Sequence, residues 1–96
     1  MITKTKVALV TGGSRGLGRD MAIQLARGGT DILLTYHTNR EKAEEVIQAI
    51  EAIGQKAHAI QLDTSRPDSF DPFFAQVTGY LQKEYGDPHF DFLINN

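Results

Sequence analysis

A short apolar run, Val7-Ala8-Leu9-Val10, leads into Thr11-Gly12-Gly13-Ser14-Arg15-Gly16-Leu17-Gly18, and this turn opens directly into a helix-forming stretch from Leu17 to Arg27. A strand that ends in a glycine turn and continues as a helix leaves free backbone N–H groups at the helix N-terminus, where a pyrophosphate is well received. Gly12, Gly16 and Gly18 stand in G-x-x-x-G-x-G spacing, which is not the G-x-G-x-x-G fingerprint. A Walker A loop is excluded because Gly18 is followed by Arg19-Asp20 and not by Lys-Ser/Thr. The physical demands are nonetheless the same: one glycine for a tight exit from the strand, one where a side chain would block the phosphates, and one for close helix–strand packing. Gly12, Gly16 and Gly18 fit those roles in that order. A glycine turn can also be purely structural, so the rest of the chain has to decide.

Four short apolar runs alternate with three longer amphipathic ones, the pattern of right-handed βαβ crossovers feeding a parallel sheet. Strands are expected at Val7–Val10, Ile32–Tyr36, Lys56–Leu62 and Phe92–Asn95. The first helix carries Leu17, Met21 and Leu25 on one face and stops at Gly28-Gly29. In the second, Ala43, Val46, Ile47, Ile50 and Ile53 follow helical spacing, with Asn39 as N-cap and Gly54 as stop. The third starts near Pro67 or Asp68 and ends at Gly86-Asp87-Pro88. Its stripe of Phe70, Phe73, Phe74, Val77, Tyr80 and Leu81 is read as core packing against the sheet.

Bulk properties exclude several classes of function. A net charge of −2 with scattered Lys and Arg gives no footprint for a polyanion, so nucleic acid is not an expected partner. There is no Cys, which rules out disulfides and thiolate metal sites, and His37, His58 and His89 are too far apart in sequence for a local metal motif. Met1-Ile2-Thr3-Lys4-Thr5-Lys6 lacks a signal-peptide apolar core, and no apolar stretch approaches the roughly 20 residues of a membrane span. A cytoplasmic protein with no membrane partner is the expectation.

Thr11-Gly12-Gly13-Ser14-Arg15-Gly16-Leu17-Gly18 resembles the T-G-x-x-x-G-x-G cofactor motif of the short-chain dehydrogenase/reductase family, and two further segments agree. Leu62-Asp63 follows the third strand, and Leu93-Ile94-Asn95-Asn96 resembles the opening of the family's N-N-A-G motif after the fourth. The nearest flavour is the 3-oxoacyl-carrier-protein reductase-like branch. The resemblance implies an α/β Rossmann-like, doubly wound parallel sheet with strand order 3-2-1-4 and helices on both faces. It also implies that residues 1–96 are the N-terminal part of a single dinucleotide-binding domain, the remainder being absent from this chain. The backbone around Ser14, Arg15, Gly16 and Leu17 would then surround the cofactor's phosphates. Asp63 would accept a hydrogen bond from the adenine amino group, and Asn95 would lie beside the adenosine half and tie neighbouring strands together. Asp63 as a strand-end turn residue and Asn95 as a structural hydrogen-bonder are the alternatives.

An NAD site places Asp or Glu at the end of the second strand, about 20 residues past the glycine turn, to hold the ribose 2′-hydroxyl. Here that stretch reads Thr35-Tyr36-His37-Thr38-Asn39-Arg40, with no acid before Glu41. Arg15 inside the turn, with Tyr36 and His37 beyond it, offers a cation and hydroxyl or imidazole donors to a 2′-phosphate. NADP is therefore expected over NAD. Arg40 is read as a solvated residue of the following helix.

In the family that these motifs resemble, hydride passes between the nicotinamide and a carbonyl or alcohol carbon. The Tyr general acid/base, the Lys that lowers its pKa and the substrate-positioning Ser all lie downstream of N-N-A-G. None of Tyr36, Tyr80 and Tyr85 stands in a Tyr-x-x-x-Lys arrangement, so no catalytic residue is assigned. The expectation is an inactive N-terminal piece of an NADP-dependent oxidoreductase. Its longer parent is expected to be a homo-oligomer acting on a small-molecule carbonyl or alcohol. A non-catalytic nucleotide-binding module and a structural remnant are the alternatives.

Overall fold

The computed structural model describes residues 5–14 and 16–95, so Arg15 and Asn96 lie outside the described residues. Four strands, β1 (Val7–Thr11), β2 (Asp31–Tyr36), β3 (Ala57–Gln61) and β4 (Phe92–Asn95), form one parallel sheet in the order β3-β2-β1-β4. This is the order that the family resemblance, combined with right-handed crossovers, implied. Three helices connect the strands: α1 (Gly16–Arg27), α2 (Arg40–Ile53) and α3 (Phe70–Tyr85), the last preceded by a 3₁₀ turn at Pro67–Ser69. The expected third strand, Lys56–Leu62, is one residue longer at each end than β3. The ladder does continue there, with Ile32 N–H donating to the Lys56 carbonyl and Leu62 N–H to the Tyr36 carbonyl.

Each face of the sheet has its own core. On one, Ala8, Val10, Ile32 and Leu34 meet Ala22 and Ala26 of α1 and Ala43, Val46 and Ile50 of α2. On the other, Val7, Leu9, Leu33, Ile60 and Leu62 meet Phe73, Val77 and Leu81 of α3. Central strands buried on both faces have to be apolar in continuous runs, and β1 and β2 are. Residues 40–53 form α2 for local reasons: Asn39 Oδ1 accepts from Lys42 N–H at 3.0 Å, and Gly54 closes the helix in the left-handed region at φ 105°.

One expectation about helix faces holds and one is corrected. The face of α1 that packs on the sheet is Gly18, Ala22 and Ala26, while Leu17 is 66% exposed and Met21 and Leu25 are half-buried. Small residues are selected there because they let the helix axis approach the strands closely. Leu17, Met21 and Leu25 instead line an open apolar groove beside Ile94. In α3 the aromatic stripe divides: Phe73 is buried, Phe70 and Tyr80 are half-buried, and Phe74 is 47% exposed, because adjacent helical residues cannot share one face.

The amino edge of the sheet is closed by polar bonds. Asp31 is 4% exposed, and its Oδ1 accepts from Gln55 Nε2 at 2.8 Å and Lys56 N–H at 3.0 Å while Oδ2 accepts from the Tyr85 hydroxyl at 2.5 Å. Burial, then the bond to Asp31, pushes the Tyr85 phenol upward. At the same edge Asp91 Oδ2 accepts from Val7 N–H at 2.8 Å and anchors the entry into β4. Among the described residues no buried side-chain polar atom lacks a partner.

Candidate cofactor-binding site

Parallel strands bring all their carboxyl ends to one edge, and there β1, β2 and β3 release the glycine turn, the His37–Asn39 loop and the Asp63–Ser69 loop. The glycine turn is held against β2: Gly12 N–H donates to Thr35 Oγ1 at 2.9 Å and Gly13 N–H to the Thr35 carbonyl at 3.1 Å. Gly12 and Gly16 take positive φ values of 66° and 62°, which L side chains adopt rarely. A Cβ on Gly13 would stand 2.8 Å from Leu34 Cβ, whereas one on Gly16 would meet nothing within 4 Å. Gly13 is thus fixed by packing, a role the glycine spacing did not reveal. At Gly16 there is open space at the mouth of α1.

That helix mouth suits an anion. No acidic side chain stands in the first turn of α1, so the positive end of its dipole is not neutralised from within. A cavity of about 470 Å³ lies against it, lined by Gly12, Ser14, Gly16, Leu17, Tyr36, His37, Thr38 and Asn39. Gly12, Ser14, Gly16, Leu17, Tyr36 and His37 of the sequence-predicted set therefore meet around one space. Gly18 does not line it; it is buried in α1 with Ala22 and Ala26.

A second cavity of about 460 Å³ shares His37 and Thr38 with the first and extends to Gln61, Asp63, Arg66, Asp68 and Ser69. Within this lining Asp63 has a partner at each carboxylate oxygen. Its Oδ1 accepts from Ser65 N–H at 3.0 Å and Ser65 Oγ at 2.6 Å, and its Oδ2 faces His37 Nε2 at 3.4 Å. The Ser65 hydrogen bonds, followed by the nearby His37, hold the Asp63 carboxyl below its ordinary range. The turn role and the binding role are compatible, because Oδ1 serves the turn and Oδ2 retains a lone pair for an incoming donor. Gln61 Nε2 donates to the His37 carbonyl at 2.9 Å and braces the loop after β2.

The expectation that a 2′-phosphate would meet no carboxylate holds along the chain but not in space. Neighbouring strand ends bring Asp63 of the β3 exit beside His37 of the β2 exit. Asn95 is at the far side of the turn, where its Oδ1 accepts from Thr11 Oγ1 at 3.1 Å and joins β4 to β1. Sequence reading missed Thr35, Thr38, Gln61 and Arg66. The β1–β2 register, which pairs Val10 with Leu34, is the signal that would have placed Thr35 beside the turn. Among the described residues there is no group of three or more His, Cys, Asp or Glu able to hold a metal ion, and no helix is long and apolar enough to cross a membrane.

A three-layer parallel α/β unit with a glycine turn, an acid-free helix mouth and an Asp-lined cavity at its carboxyl edge has the architecture on which dinucleotide sites are built in other proteins. Known proteins agree: the short chain dehydrogenase family model matches residues 6–96. A hydroxynaphthalene reductase of Aspergillus fumigatus is 43% identical over 76 residues, covering 79% of this chain and 28% of that protein. A 3-oxoacyl-[acyl-carrier-protein] reductase of Staphylococcus aureus is 39% identical over 92 residues, covering 96% of this chain and 35% of that protein. The crystal structure of an angucycline C-6 ketoreductase with bound NADP superposes with a TM-score of 0.86 at 34% identity, covering 92% of this chain and 34% of that one. The chain belongs to the short-chain dehydrogenase/reductase family, a family of oxidoreductases, with a 3-oxoacyl-carrier-protein reductase-like flavour. It spans about a third of the length of these relatives.

Proposed function

We propose that residues 1–96 are the N-terminal, cofactor-binding part of an NADP-dependent oxidoreductase, and that by themselves they bind the adenosine and phosphates of the cofactor without turnover. The observation that carries the reading is the pair of cavities joined at His37 and Thr38, one against the α1 mouth and one over Asp63. A dinucleotide's phosphates and adenine need two such spaces, with the ribose at their junction. The residues fit the group: Gly16 leaves room for phosphate, the first turn of α1 contributes no negative charge, and Asp63 offers a free lone pair.

Gly12, Ser14, Gly16 and Leu17 surround the phosphates in this reading, with Arg15, which lies outside the described residues, adding a cation. Gly18 brings the helix close to the sheet. Tyr36 and His37 face the ribose and its 2′-phosphate, Asp63 takes the adenine amino group, and Asn95 steadies the adenosine side. Support for NADP over NAD comes from the absence of an acid between Thr35 and Arg40 and from the bound NADP of a similar ketoreductase.

When bound, the cofactor gives hydride to a carbonyl carbon or takes it from an alcohol. The chain's own contribution is to bind and orient it. Tyr80 and Tyr85 are unsuited to proton transfer at this site: both belong to α3, Tyr85 is bonded to Asp31 at the opposite edge, and burial pushes Tyr80 up to about 12. The longer parent is read as a cytoplasmic homo-oligomer acting on a small carbonyl or alcohol.

Fluorescence titration of the mass-verified chain with NADPH and NADH, followed by assay against a panel of carbonyl compounds, tests this. Tighter NADPH binding with no turnover is expected. Equal or tighter NADH binding, or turnover that survives removal of contaminating enzymes, would overturn it.

A further inference from the structure

Arg66 lines the Asp63 cavity together with His37, and its backbone is held by several hydrogen bonds. Arg66 N–H donates to the Asp63 carbonyl at 3.1 Å, and the Arg66 carbonyl accepts from Ser69 N–H at 3.0 Å and Ser69 Oγ at 2.7 Å. Ser69 Oγ also reaches the Asp63 carbonyl at 2.9 Å, so the loop from Asp63 to Ser69 is braced across its base. The side chain is left to solvent and slot: it is 67% exposed, with Asp68 Oδ1 at 3.8 Å from its Nε.

We propose that Arg66 is an adenine-binding residue, its guanidinium plane lying over one face of the purine while His37 bounds the other side and Asp63 takes the amino group. The proposal rests on the nucleotide-binding reading above and extends it to a residue on which that reading does not depend. Three observations favour the base over the 2′-phosphate as the partner. Of these two cavities Arg66 lines the Asp63 one and not the other, whereas His37 and Thr38 line both and so mark the junction where the ribose belongs. The Asp68 carboxylate, 3.8 Å from Arg66 Nε, puts a negative charge beside the guanidinium that repels a phosphate but not an uncharged base. A guanidinium is planar and weakly hydrated, and it stacks on aromatic rings in a way an ammonium cannot.

The test is calorimetric titration of the 96-residue chain, its Arg66→Ala variant and its Arg66→Lys variant with two probes, 2′,5′-ADP and 5′-AMP. The Arg66 side chain carries none of the loop's bracing bonds, and circular dichroism confirms that each variant keeps its fold. Arg66→Ala should weaken both probes by the same factor, about two- to fivefold, the size of an exposed cation–π contact. Arg66→Lys should recover less than half of that loss, because charge returns without the plane. Unchanged binding in Arg66→Ala, a loss confined to 2′,5′-ADP, or full recovery in Arg66→Lys would each overturn the proposal. If the unmodified chain binds neither probe, the nucleotide-binding reading itself fails; this is distinguishable because no variant is needed to see it.

Discussion

His37 Nε2 and Asp63 Oδ2 stand 3.4 Å apart, linking the loop that leaves β2 to the residue that follows β3. His37 lines both cavities and Asp63 lines the second, so a nucleotide that fills both would lie against this pair. Asp63 is prepared for this by Ser65, which holds Oδ1 and keeps the carboxyl below its ordinary range. A depressed carboxyl contributes stability above its unfolded pKa, and that contribution is lost as pH falls through the folded value. Asp63 should therefore stay ionised through the ordinary aspartate range and lose its contribution only in stronger acid. NMR titration of the Asp63 carboxyl checks this: Ser65→Ala should move its midpoint upward, and an unmoved midpoint would remove Ser65 as the cause.

Gly13→Ala should destabilise the chain by about 1–3 kcal/mol, the usual range for overpacking a tight core contact. The new Cβ would stand 2.8 Å from Leu34 Cβ, an atom fixed to the β2 backbone. Urea unfolding measures the loss, and a change below about 0.5 kcal/mol, typical of substitutions away from such contacts, would show that the turn shifts freely.

His58 stacks on Tyr80 with ring centroids 4.4 Å apart and planes 5° from parallel. Burial lowers the imidazole below its ordinary value, against the opposing pull of Glu84. A histidine with a lowered folded pKa binds a proton more readily when unfolded, so stability rises with pH through this window and falls as pH drops below about 6.5. Between pH 7 and pH 5 the unmodified chain should lose more stability than His58→Phe, which keeps a ring on Tyr80 and removes the titration. Parallel losses in denaturant titrations at both pH values would contradict this.

What was legible in the sequence was what is decided locally or by strong periodicity. Asn39 caps α2 and Gly54 ends it because those roles depend on a few neighbouring residues, and the strand order followed from the family resemblance taken with right-handed crossovers. Leu17, Met21 and Leu25 do share one face of α1, but periodicity did not show that close approach selects Gly18, Ala22 and Ala26 for the sheet. Within the site, the glycine turn, His37 and Asp63 could be found by motif. Thr35, Gln61 and Arg66 could not, since their places depend on strand register and on a loop braced by Ser69. The proximity of Asp63 to His37 belongs to the same class, being a contact between residues from different strand exits.

Arg15→Ala should weaken NADP binding by about 1–3 kcal/mol, as expected for a charge-assisted phosphate contact, with little effect on NAD. The prediction follows from the position of Arg15 within the glycine turn. Paired titrations with the two cofactors decide it, and equal weakening would assign Arg15 to general positioning.

Backbone amide shift mapping of the 96-residue chain with NADP⁺ tests most directly whether the carboxyl edge of this sheet is a nucleotide site. Saturable shifts are expected at Gly12, Ser14, Gly16, His37, Thr38 and Asp63, with Asp31, Gln55 and Tyr85 at the opposite edge unmoved. Shifts centred on that opposite edge, or none at millimolar NADP⁺, would contradict it.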